Sequence, residues 1–261
     1  MKCIHTLFVF LLLTCLANAA PVEWQKCTKA SSWALNAQAR MMNIFSPNMS
    51  DSKAASYIQW MKSRGCNTAH VFISNEGNGE HSGYSIYGPK WDWTIDSKYY
   101  NLMLSRIQIL RKQGFAVVIW LFADDSPRFN SLAAKNFEKY IIDCKNLGFF
   151  KEASIVVVGL ELNEYYGLSD VVRLISATKK HYNGKIGTHQ TSGRYEYSKY
   201  ANILFYQVDP GKSASWIKAE TIRVKKASGG KPLVMFELER NPAREKCLAA
   251  FSGAAFSVGN W

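Results

Sequence analysis

The sequence predicts an α/β fold, a single-domain (β/α)8 TIM barrel whose eighth helix is absent or minimal. Three observations lead to it. Short apolar, β-rich runs alternate with amphipathic stretches along the chain, and strict alternation means parallel strands joined by helical crossovers. Eight strand candidates follow one another with no Pro/Gly/Ser-rich boundary, which suits one closed barrel. The rival, an open doubly wound sheet, should carry a glycine-rich first turn, and Ala37-Gln38-Ala39-Arg40 after the first strand is not one.

Residues 1–20 stand outside the barrel. Lys2 gives a basic start, Leu7 to Leu13 are too short an apolar run to span a bilayer, and Ala17-Asn18-Ala19 fits a small-residue cleavage site. They are expected to be a signal peptide, with the barrel over 21–261 and the product secreted or periplasmic. The strand candidates are 32–36, 68–74, 116–122, 155–162, 185–189, 203–208, 233–237 and 254–259. Helix candidates between them are 51–64, 98–113, 130–147, 169–181, an irregular 195–200, 213–227 and 242–251. Ser50-Asp51 and Ser169-Asp170 read as N-caps, and Gly65, Gly114, Gly148 and Gly184 sit where a helix should stop.

At 48% hydrophobic and 13% aromatic residues the chain can fill a core, which excludes disorder as its main state. Outside the leader the cysteines are Cys27, Cys66, Cys144 and Cys247. An even number in an oxidising compartment predicts two disulfides with three possible connectivities, and the wide spacing argues against zinc. No stretch after the leader is long and apolar enough for a membrane helix. The formal net charge of +12 draws a protein toward anionic surfaces, acidic polysaccharide among them. The lysines are scattered along the chain, however, so a solvated basic exterior is the preferred reading, and no motif supports nucleic acid.

A barrel gathers whatever follows the carboxyl ends of its strands on one face, where such folds keep their chemistry. Two apolar runs end on glutamates there: 155–164, closing on Glu161 and Asn163-Glu164, and 231–237, closing on Glu237. A carboxylate at the exit of a buried strand is costly without a partner or a task, and two facing carboxyls are the equipment for cleaving a glycosidic bond. The same face should receive Trp91, Trp93, Trp120, His189, Tyr206 and Trp261. Aromatic faces stack on sugar C–H surfaces while amides and acids bond hydroxyls. Glu161 is read as a supporting partner or a lysine partner, and Asp124-Asp125 as a helix cap. No Gly-x-Ser-x-Gly, His-Glu-x-x-His or phosphate-cradling loop is present, so no metal and no cofactor is expected.

Asn163-Glu164 at the end of the predicted fourth strand, with Pro232 leading an apolar run to Glu237 on the seventh, resembles clan A of the glycoside hydrolases, which includes cellulase-like, mannanase-like and β-galactosidase-like barrels. The resemblance implies Glu164 as acid/base and Glu237 as nucleophile. It also implies Asn163 at the sugar 2-hydroxyl, Tyr206 and His189 near the nucleophile, and Trp261 at the subsite floor. Glu164 departs from the clan in being followed by Tyr165 and not proline, and Glu239 would replace Glu237 if the strand register slips. The expected activity is retaining hydrolysis of a β-linked poly- or oligosaccharide, an anionic one included. The rivals are a non-catalytic barrel that recognises envelope or matrix glycans and a muramidase-like cell-wall lysin.

Overall fold

The computed structural model describes residues 50–63, 68–74, 85–88, 92–121, 134–191, 194–207, 212–238 and 255–258. In chain order these form α1 (Asp51–Ser63), β1 (Thr68–Phe72), α2 (Ser97–Lys112), β2 (Ala116–Trp120), α3 (Ala134–Asn146), α4 (Phe149–Glu152) and β3 (Ile155–Val157). There follow α5 (Leu162–Tyr165), α6 (Leu168–His181), β4 (Lys185–Gln190), a 3-10 helix (Glu196–Tyr200), β5 (Ile203–Gln207), α7 (Ala214–Ala227), β6 (Leu233–Leu238) and β7 (Ala255–Val258). The strands make one seven-stranded sheet in the order β1-β2-β3-β4-β5-β6-β7, and every neighbouring pair is parallel. A sheet that never reverses its order is the barrel arrangement, since a doubly wound sheet turns back at a switch point. The predicted first strand and the helix at 242–251 lie outside the described residues, so β1 corresponds to the second strand predicted.

β1 and β3 are buried at every position and β2 at all but Ala116. This is why they read as continuous apolar runs: one face fills the barrel and the other meets the helices. The helices bury one stripe each. Met103, Ile107 and Leu110 of α2 recur at helical spacing, as do Val171, Leu174, Ile175 and Thr178 of α6. Helix starts follow local chemistry: the Asp96 carboxylate accepts from the backbone N–H of Lys98 and Tyr99, and the Ser213 hydroxyl from that of Trp216. Gly114 and Gly148 take positive φ of 91° and 94° after α2 and α3, a conformation open to glycine without steric penalty.

Three expectations are corrected. The run 155–162 stops being a strand at Val157, and Glu161 sits in the left-handed region with φ 46°. Glu161 is therefore a turn residue and not part of the strand. Gly167, not Ser169, occupies the N-cap of α6, which begins at Leu168. Cys144 is a free, buried thiol, packed in α3, with burial pushing its pKa up. Two disulfides among the four cysteines are excluded, because it contributes to none; Cys27, Cys66 and Cys247 lie outside the described residues.

Candidate active site

At the carboxyl end of β3 the chain leaves the sheet, turns at Glu161, and enters the short α5 carrying Asn163 and Glu164. Four contacts fix this segment to β4 and the residue after it. The backbone N–H of Glu161 donates to His189 Nδ1 at 2.8 Å. The backbone N–H of Thr191, the residue after β4, donates to Asn163 Oδ1 at 2.8 Å. Asn163 Nδ2 in turn donates to Thr191 Oγ1 at 2.8 Å and to Glu164 Oε1 at 3.1 Å. The Thr191 hydroxyl closes the ring by donating to Glu164 Oε1. Asn163 thus has its amide orientation set by partners on both atoms, and Glu164, solvent-exposed, is held by two donors. Charge-assisted bonds of this kind position a carboxylate as well as satisfying it.

Beneath the rim lies an aromatic layer. His70 and Phe72 of β1, Trp120 of β2, His189 of β4 and Phe205 of β5 pack together, with Trp120 stacked on Phe72 at 5.1 Å and edge-on to Phe205 at 5.2 Å and to His189 at 5.6 Å. Trp120 Nε1 donates to His70 Nδ1 at 3.0 Å. Both imidazoles therefore use Nδ1 as an acceptor, which requires the neutral ring with its proton on Nε2. Burial agrees: it lowers the His189 pKa to about 3 and that of His70 well below its ordinary value. Room for the layer depends on Gly187, where a Cβ would meet the Phe205 ring at 2.6 Å.

The candidate residues divide by location. Asn163 and Glu164 share one hydrogen-bonded cluster, and His189 supports it from below. Trp120 is inaccessible to solvent; it is interior packing and offers no face for a sugar. Tyr206 is also fully buried and donates its hydroxyl to Glu220 of α7 at 3.2 Å, so it links the sheet to the helix layer. Glu220 is held ionised in turn by Arg223, whose hydrogen bonds lower its pKa. Trp93, half-buried with φ 67°, packs on Tyr87 at 5.0 Å, beside a cleft of about 570 Å³ lined by Tyr87, Asp92, Ile95 and Tyr99. Glu237 is the penultimate residue of β6. Here the backbone departs from regular pairing: Met235 pairs with Phe256 and Leu238 with Val258, so β6 holds one extra residue across Phe236-Glu237. Such bulges occur preferentially at barrel rims and active sites. Trp91, Glu239, Asp124, Asp125 and Trp261 lie outside the described residues.

Thr191 was missed by sequence reasoning. Its signal was a small hydroxyl directly after the polar end of a predicted strand, a position that a barrel turns toward the rim. No group of His, Cys, Asp and Glu suited to a metal ion occurs among the described residues.

No protein-family model matches the sequence. No curated protein matches it either. Solved structures do. A GH113 β-mannanase from Alicyclobacillus acidocaldarius superimposes with a TM-score of 0.56 at 12% identity, over 90% of this chain and 88% of that one. A glycoside hydrolase family 5 protein from Bacteroides vulgatus gives 0.65 at 14% identity, over 88% of this chain and 58% of the other. A family 1 β-glucosidase from Thermotoga maritima gives 0.57 at 10% identity, over 79% and 76%. The chain shares the barrel fold of these glycoside hydrolases. Within this barrel, the Asn163-Glu164 cluster lies at the strand ends, the face such folds use for chemistry.

Proposed function

We propose that the protein is a retaining glycoside hydrolase acting on a β-linked poly- or oligosaccharide, with Glu164 as acid/base and Glu237 as nucleophile. The observation that carries this reading is the Asn163–Thr191–Glu164 ring, which holds an exposed carboxyl at the rim by side chains from two adjacent strand ends. A surface glutamate with no task has no need of such fixing. In the first step Glu164 donates its proton to the leaving glycosidic oxygen as Glu237 attacks the anomeric carbon. In the second, Glu164 accepts a proton from the water that releases the sugar. Both amide hydrogens of Asn163 are engaged, so its Oδ1, with a lone pair to spare, is the atom that takes a sugar hydroxyl. An exported product, processed near residue 20, is part of the reading; mass spectrometry of the mature N-terminus checks it.

The test is reducing-sugar release from a panel of β-mannans, β-glucans and their charged analogues by wild type, Glu164→Gln and Glu237→Gln. Each variant is expected to lose at least about a hundredfold in rate, and NMR of the first product should show a retained β-anomer. Equal rates in all three proteins would reject the assignment.

A further inference from the structure

The charge of the protein has no part in the chemistry above, yet the fold sorts it. In a parallel barrel each helix runs back against its strands, so helix ends and strand starts meet on the face opposite Glu164. On that face the helices finish in exposed base: Lys112 of α2, Lys145 of α3, Lys151 of α4, Lys180 of α6 and Lys226 of α7. Lys185 opens β4 and Lys199 precedes β5 at the same end, both exposed. Among the described residues from the last turn of α2 to the start of β6, the carboxylates at these helix-to-strand junctions are Asp143 and Glu152, with Glu138 of α3 reaching Lys180 at 3.1 Å, and Asp143 is engaged by Lys139 and by the Tyr87 hydroxyl. The opposite rim instead carries Asp51, Asp96, Glu164, Asp170 and Glu196 at helix starts. Complementing the helix macrodipole explains a basic residue in each last turn. It explains neither Lys185 on a strand nor the scarcity of acids.

We infer that this basic end is a docking face for an acidic polysaccharide, leaving the opposite rim open to solvent. The ring is wide and built from point-charge lysines, which suits a polymer of spaced carboxylates or sulfates. A membrane would want a cluster of apolar wedges beside the charge, but the exposed Ile95, Leu168 and Trp216 lie at the starts of α2, α6 and α7, away from this end, and toward it Ile109 of α2 and Ile222 of α7 are the large exposed apolar side chains among the described residues, one on each of two separate helices. Duplex nucleic acid would want an element able to enter a groove, and these junctions are short turns.

The experiment measures binding of the full protein to immobilised polygalacturonate at low salt, independently of any turnover. Lys112→Gln/Lys145→Gln/Lys226→Gln is compared with a charge-matched control at the other end, Lys53→Gln/Lys98→Gln/Arg173→Gln. The first triple should lose about tenfold in affinity and show a shallower salt dependence; the control should stay within about threefold, and the Lys→Arg version of the first triple should bind as wild type does. Equal loss in both triples would show that net charge alone is felt and would overturn the inference. So would absence of binding, or tighter binding to phosphatidylserine vesicles or duplex DNA at the same salt.

Discussion

Protonation of His189 should be the acid weakness of this barrel. Its Nδ1 accepts the N–H of Glu161, so charging the ring both puts a cation into the aromatic layer and removes the bond that anchors the α5 turn. The folded-state pKa is lowered from 6.5 to about 3 by burial. Between those values the unfolded chain binds a proton that the folded chain does not. Stability from this residue is therefore complete above pH 6.5 and falls as pH drops, levelling off only near pH 3. At about 1.4 kcal/mol per unit, the loss between pH 7 and pH 5 is about 2 kcal/mol from His189 alone. The assay is urea unfolding at those two pH values for wild type and His189→Asn, whose side-chain oxygen can still accept the Glu161 N–H. The variant is less stable throughout, but its loss between pH 7 and 5 should be smaller than that of wild type by about 2 kcal/mol. An identical loss in both proteins would refute the neutral, desolvated imidazole.

Thr191→Val removes a donor to Glu164 and an acceptor for Asn163; kcat on a polysaccharide substrate should fall by about ten- to a hundredfold, with Thr191→Ser restoring most of it. Aryl glycosides with good leaving groups need less proton donation and should show a smaller loss, so a uniform loss would point to misfolding. Gly187→Ala places a methyl against Phe205 and should destabilise the fold by about 1–3 kcal/mol, read as a lower urea midpoint with an unchanged m-value. Cys144 should resist a thiol reagent in the native protein and react at once in denaturant, since burial withholds the thiolate; fast native labelling at this residue would contradict its place in the core.

Local chemistry made most elements legible. The apolar runs of β1, β2, β4, β5 and β6 and the amphipathic periods of α2, α6 and α7 appear within a residue or two of their expected positions, because burial on both strand faces and on one helix stripe leaves a direct mark on composition. The turn at Glu161 left no such mark. Ile155 to Leu160 is apolar throughout, and only the tertiary structure, with the Glu161 contact across to His189 of β4, shows that the strand ends at Val157. Tyr206 and Trp120 failed as sugar contacts for a related reason: a residue at or next to the last position of a strand points either to the helices or into the interior, and aromatics serve both.

The sequence by itself determined the alternation, the parallel barrel that alternation requires, and a glutamate closing each of two apolar runs, since each is a matter of local pattern. The tertiary structure alone decided which side chains meet. It brought Thr191 from β4 to Glu164 beyond β3, left Cys144 without a disulfide, and collected lysines spaced tens of residues apart into one end of the molecule. Those outcomes depend on which strand lies beside which and on every helix ending at the same face, and no window along the chain contains that information.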